Sequence, residues 1–78
     1  MTASIVHPRE AFKAALIAGS AVIAFVHNHP SGDPKPSDED VEITKRLKEV
    51  GSIVGIKVID HIIIGDGEFF SLKDNGLL

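Results

Sequence analysis

The stretch Ala21-Val22-Ile23-Ala24-Phe25-Val26, running into His27-Asn28-His29-Pro30, decides the fold. Six small or apolar residues in a row, without alternation, read as a β-strand. A strand with no polar face belongs in the middle of a sheet, covered on both sides. The chain then changes character. The segment His27 to Pro36 holds three Pro, one Gly, one Asn and two His, so no regular element continues far into it. Loops of this kind at the end of a buried strand are common places for chemistry.

Upstream of the strand, Pro8 stands where a first helical turn favours proline. Arg9, Glu10 and the alanines that follow are mostly good helix formers. Phe12, Ala15, Leu16 and Gly19 share one face, and Gly19-Ser20 ends this first helix. His7 leads into it, and Arg9 and Glu10 have the charges to pair with sheet or loop groups. Downstream, Ser37 caps a second helix, with Asp38, Glu39 and Asp40 in the turn where carboxylates suit the helix dipole. Ile43, Leu47 and Val50 continue the face of Asp40. Lys45, Arg46 and Lys48 fall late in the helix as solvent-facing cations, and Gly51 is the expected C-cap. A second apolar run, Ile56 to Ile64, reads as a strand. Gly65-Asp66-Gly67 is a hairpin turn, and Glu68 to Leu72 is the returning strand. The tail from Lys73 carries no pattern. The expected order is helix, strand, helix, strand, strand, an α/β class with a mixed sheet. Three strands and two helices leave little to flank so apolar a central strand. The chain therefore reads as part of a larger domain, or as one completed by a second copy.

Composition narrows the functions. One domain spans residues 1–78, a size at which natural folds often recruit a metal, disulfides or a partner chain. There is no Cys, which excludes disulfides, thiolate metal sites and a Cys nucleophile. Four Phe are the only aromatics, too few for a base-stacking platform. Eight basic against eleven acidic residues give a net charge of −3, which disfavours direct DNA binding. No apolar run reaches a membrane span, and the first residues lack a secretion signal, so a cytoplasmic location is expected.

Two short patterns carry the chemistry. If the strand persists through His29, residues 23, 25, 27 and 29 share a face, with His27 and His29 roughly 6.6 Å apart along it. Asp40 heads an apolar helical face and so points inward, where a carboxylate needs a partner. Two imidazoles and a carboxylate form a zinc ligand set whose fourth position stays open to water. Ser37-x-x-Asp40 also fits a capping box that needs no metal. The two readings are compatible, because Ser37 can cap the backbone while Asp40 faces an ion. Asn28 points to the opposite face. Ser31-Gly32 makes a turn before Asp33-Pro34. Asp60-His61 interrupts an apolar run and is a candidate for a pocket wall or for a pair that supports the ligands from behind, with a structural hydrogen-bonding role favoured.

His27-x-His29, seven residues, then Ser37-x-x-Asp40 resembles the JAMM motif of the MPN+/JAB metalloproteases. The fuller string from His27 through Ser37 is similar to the RadC branch, long described as DNA repair proteins. Val6-His7-Pro8-Arg9-Glu10, Thr44-x-x-Leu47, and Asp60-His61-Ile62-Ile63-Ile64-Gly65 with Ser71 extend that likeness over nearly the whole chain. The resemblance implies an α/β sandwich related to cytidine deaminases. It implies zinc held by His27, His29 and Asp40, and Ser37 as the residue that stabilises the oxygen of the tetrahedral intermediate. It implies attack of zinc-activated water on a peptide or isopeptide-like amide.

The resemblance also implies a catalytic glutamate upstream of the first helix, and a helix-hairpin-helix DNA-binding module upstream of that. Neither is expected in this chain, which reads as the C-terminal part of the domain. Glu10 is the only glutamate before His27 and matches a different family position. Proton transfer by a general base contributes roughly 10²–10⁴-fold, so weak or no peptidase activity is expected. The alternative is a non-enzymatic accessory module in DNA metabolism, dimeric through an exposed sheet edge.

Overall fold

The computed structural model describes residues 2–4 and 8–78. The elements in chain order are β1 (Thr2–Ser4), α1 (Pro8–Ile17), β2 (Val22–Asn28), α2 (Asp38–Val54), β3 (Lys57–Gly65) and β4 (Glu68–Ser71). The five expected elements follow one another as the sequence implies, and β1 precedes them as a short additional strand. His7, expected to lead into α1, lies outside the described residues.

The sheet order is β1-β2-β3-β4. β1 and β3 both pair parallel to β2, and β4 returns antiparallel to β3, so the sheet is mixed. The apolar stretch is thus central, with a hydrogen-bonded neighbour on each side. Both helices are crossovers between parallel neighbours, and both pack on one face. Their Ala11, Phe12, Ala15 and Leu47 form a buried cluster with Ile23, Phe25, Ile56 and Val58. The Phe12 and Phe25 rings meet at 5.6 Å between centroids. Coverage is one-sided rather than double. On the opposite face, among the described residues, Val22, Ile64 and Phe69 are exposed.

Two element ends and two buried faces differ from expectation. The strand runs on through His27 and Asn28, because its backbone keeps pairing with Ile63 and Ile64 of β3. α1 buries Ala11, Phe12 and Ala15, while Leu16 and Gly19 face outward. α2 passes through Gly51 to Val54 and is capped by Gly55 at φ 78°, a left-handed conformation that glycine adopts without a Cβ clash. Gly51 is instead a point of close approach, where a Cβ would run into the Ile56 carbonyl. The inward face of α2 is accordingly Asp40, Thr44, Leu47 and Gly51, with Val50 exposed. The extra turn also places Lys45, Arg46 and Lys48 in mid-helix, and the last turn holds no basic residue.

One irregularity has no signature in the expected pattern. The β2–β3 register slips between Ile23 and Ala24, where Val58 faces Ile23 but Asp60 faces Ala24. The extra residue is a β-bulge. It turns His61, rather than Asp60, onto the helix-covered face opposite Phe25. Asp60 looks the other way. Its carboxylate accepts hydrogen bonds from the His61 N–H, the Ser71 hydroxyl and the Lys73 N–H, tying the C-terminal turn to the sheet. The tail is thereby anchored, and Leu72 is fully buried. No helix among the described residues is long and apolar enough to cross a membrane.

Candidate metal centre

Three side chains converge where β2 ends and α2 begins. His27 lies on the helix-covered face of β2, two residues beyond Phe25. His29 follows just past the strand, held by its backbone N–H donating to the Ile64 carbonyl at 2.8 Å. A tight turn then closes with the Gly32 N–H donating to the His29 carbonyl at 3.0 Å. This turn lies directly across the end of β3. A Cβ at Gly65 would strike the Gly32 carbonyl, so only glycine lets the proline-rich loop settle there. The loop then delivers Ser37 to the start of α2.

Ser37 and Asp40 form a complete capping box. The Asp40 N–H donates to the Ser37 Oγ at 3.1 Å, and the Ser37 N–H donates to Asp40 Oδ2 at 2.9 Å. The box turns the carboxylate toward the histidines. His29 Nε2 is 2.9 Å from Oδ2, and His27 Nδ1 is 3.3 Å from Oδ1. The two imidazoles stand edge to face with centroids 4.8 Å apart. His27, His29 and Asp40 each offer a ligand atom, and these atoms all lie within 4.8 Å of one another. The convergence expected from the two short patterns is present, and Asp40 closes the capping box while its carboxylate faces both histidines.

Hydrogen bonding fixes more than position. His29 Nδ1 is 2.9 Å from the Asp33 carbonyl oxygen. A carbonyl only accepts, so Nδ1 donates to it, and Nε2 is the nitrogen turned to the Asp40 carboxylate at the centre. A ligand histidine characteristically gives its other ring N–H to a carbonyl or carboxylate in this way. Asp40 is buried, which by itself raises its carboxyl pKa. The Ser37 N–H and hydroxyl, followed by the charges of His27 and His29, outweigh burial and hold the pKa below its ordinary value. Asp40 is thus kept as the anion a metal needs.

The three residues offer a cation one ligand atom each. His27 Nδ1 is buried and lacks a hydrogen-bond partner among the described residues, although a carboxylate stands beside it. A metal ion would satisfy this nitrogen. Ligand atoms around a tetrahedral zinc at its usual bond lengths stand about 3.3 Å apart; here each histidine nitrogen lies beside its own oxygen of Asp40, and one atom from each residue brings the three within 4.8 Å.

Sequence reasoning missed Thr44. Its hydroxyl donates to the Asp40 carbonyl at 2.7 Å and contacts His61 Nδ1 at 2.6 Å. Its position four residues after Asp40, on the same helical face, was the available signal. His61 proves to be a buried hydrogen-bonding residue whose ring also stacks beside His27, at 5.9 Å and 20°. Its imidazole pKa is lowered, first by burial and then by the neighbouring His27.

Comparison with known proteins identifies the family. Residues 1–77 match the RadC-like JAB domain. A UPF0758 protein of Caldanaerobacter subterraneus subsp. tengcongensis is 64% identical over 76 residues, covering 97% of this chain and 33% of that protein. A UPF0758 protein of Shouchella clausii is 60% identical over 76 residues, with the same coverage of each chain. One from Methanosarcina acetivorans is 59% identical over 78 residues, covering all of this chain and 34% of that protein. The chain therefore spans about a third of the length of these relatives. With a domain match across nearly its whole length, this chain belongs to the RadC family.

Proposed function

We propose that this chain is a zinc-binding domain of the metal-dependent hydrolase type, acting on a peptide or isopeptide-like amide bond. The observation that carries the reading is the convergence of His27, His29 and Asp40 on one point. These three residues would hold the metal. When bound, zinc would lower the pKa of a water molecule and polarise the substrate carbonyl. The rest of the chemistry belongs to the protein. Asp33 fixes the His29 tautomer through its carbonyl, and the Ser37 N–H fixes the carboxylate. Ser37 Oγ accepts from the Asp40 N–H, and its O–H, which turns to the Asp40 carboxylate here, would become a donor to substrate once a metal engages that carboxylate. That donor is suited to the negative charge that develops on a carbonyl oxygen under attack.

No glutamate joins the cluster among the described residues. We therefore infer that the 78 residues alone turn over slowly, the proton-accepting glutamate belonging to the part of the longer relatives outside the match. The test is hydrolysis of fluorogenic peptide and isopeptide probes by the zinc-loaded chain. The expected result is weak turnover, abolished by chelator and by His29→Ala. Robust turnover would contradict the inferred lack of a base. No turnover at all by a zinc-loaded chain would favour the accessory-module reading. That second reading draws on the outer edges of β1 and β4, which pair with no further strand among the described residues, since such edges can pair with another chain. Sedimentation showing only monomer at high concentration would count against the homodimer it entails.

A further inference from the structure

His61 and Thr44 have no exposed surface. The Thr44 hydroxyl has one proton and two neighbours, the Asp40 carbonyl at 2.7 Å and His61 Nδ1 at 2.6 Å. The carbonyl can only accept, so the hydroxyl proton goes there. His61 Nδ1 must then donate its own proton to Thr44 Oγ1. This sets the His61 tautomer and leaves a lone pair on Nε2, which is buried with no hydrogen-bond partner among the described residues. A phenylalanine would fill the same space without burying an unmatched polar atom. Space-filling therefore does not account for a histidine here. The ring lies nearly parallel to that of His27, and its hydrogen-bonded chain ends on the residue that presents the carboxylate.

We propose that His61 is a positioning residue for the metal centre. It forms the floor on which the His27 ring is set and, through Thr44, holds the first turn of α2 from which Asp40 projects. The β-bulge between Val58 and Asp60 is what brings His61 to this place. The inference rests on the metal reading above and concerns a residue outside the ligand set. Partners that orient metal ligands are worth roughly 10–100-fold in affinity when removed.

The test uses the whole 78-residue chain. Zinc affinity is measured by chelator competition, the cobalt-substituted site by its visible absorption, and the metal-free fold by thermal unfolding. The double variant Thr44→Val, His61→Phe removes both polar partners together and is expected to keep the metal-free fold. Its zinc affinity is expected to fall about 10-fold or more, with an altered cobalt spectrum. Thr44→Ser keeps the hydroxyl and is expected to retain wild-type affinity, whereas Thr44→Val loses it. This pair decides the question if the double variant does not fold. A folded double variant that binds zinc like the wild type overturns the proposal, as does Thr44→Ser losing as much as Thr44→Val. Absence of zinc binding by the wild type itself would overturn both this inference and the reading on which it rests.

Discussion

Asp40 carries two duties with one carboxylate. Oδ2 closes the capping box and faces His29, while Oδ1 faces His27. The duties can be separated by substitution. Asp40→Asn retains an oxygen for the Ser37 N–H but loses the anion, so the helix start should survive while zinc affinity falls by more than about 100-fold, the upper range for losing a mere supporting partner. Chelator competition measures it. Ser37→Ala removes the cap, with an expected cost of about 1 kcal/mol in urea unfolding of the metal-free protein. Zinc should still bind, because the Ser37 N–H that orients the carboxylate is a backbone group. At this scale the sequence was informative. His27, His29, Ser37 and Asp40 were all identifiable from spacing, since a strand period of two and a helix cap each dictate direction. Thr44 was not singled out for the site, and His61 only as one of two functional alternatives beside a structural role, because the contact that links them lies between elements and neither element's own period reveals it.

At the scale of elements, the site depends on how closely α2 and the loop before it approach β3. Gly51 allows α2 to lie against the Ile56 carbonyl, and Gly65 allows the loop carrying His29 to cross the strand end. Gly51→Ala forces either a shift of the helix or strain at this contact. The expected loss is about 1–3 kcal/mol, the usual cost of overpacking, read from the urea midpoint at unchanged slope. The misplaced ends of α2 and β2 have the same kind of origin. Glycine stops helices and proline stops strands as local tendencies, but Gly51 serves packing, and the partner strand keeps β2 paired through Asn28. The bulge at Ile59 belongs here too. The composition of the segment reads as a continuous strand, and only the spacing of three between the buried Val58 and His61 betrays it.

For the whole molecule, a small sheet whose Phe69 is exposed on the face that no described helix covers gains stability from anything that binds only the folded state. Zinc is the expected agent. The rise in Tm on adding zinc should be lost in His29→Ala. Equal rises in the two proteins would show that zinc is stabilising the chain elsewhere. The most direct test of the central claim is a count of metal per chain, by elemental analysis of protein purified without chelator and again after zinc addition and desalting. One zinc per chain, lost in His27→Ala, is the predicted result. No retained metal after zinc addition, or the same retention by His27→Ala, would contradict it.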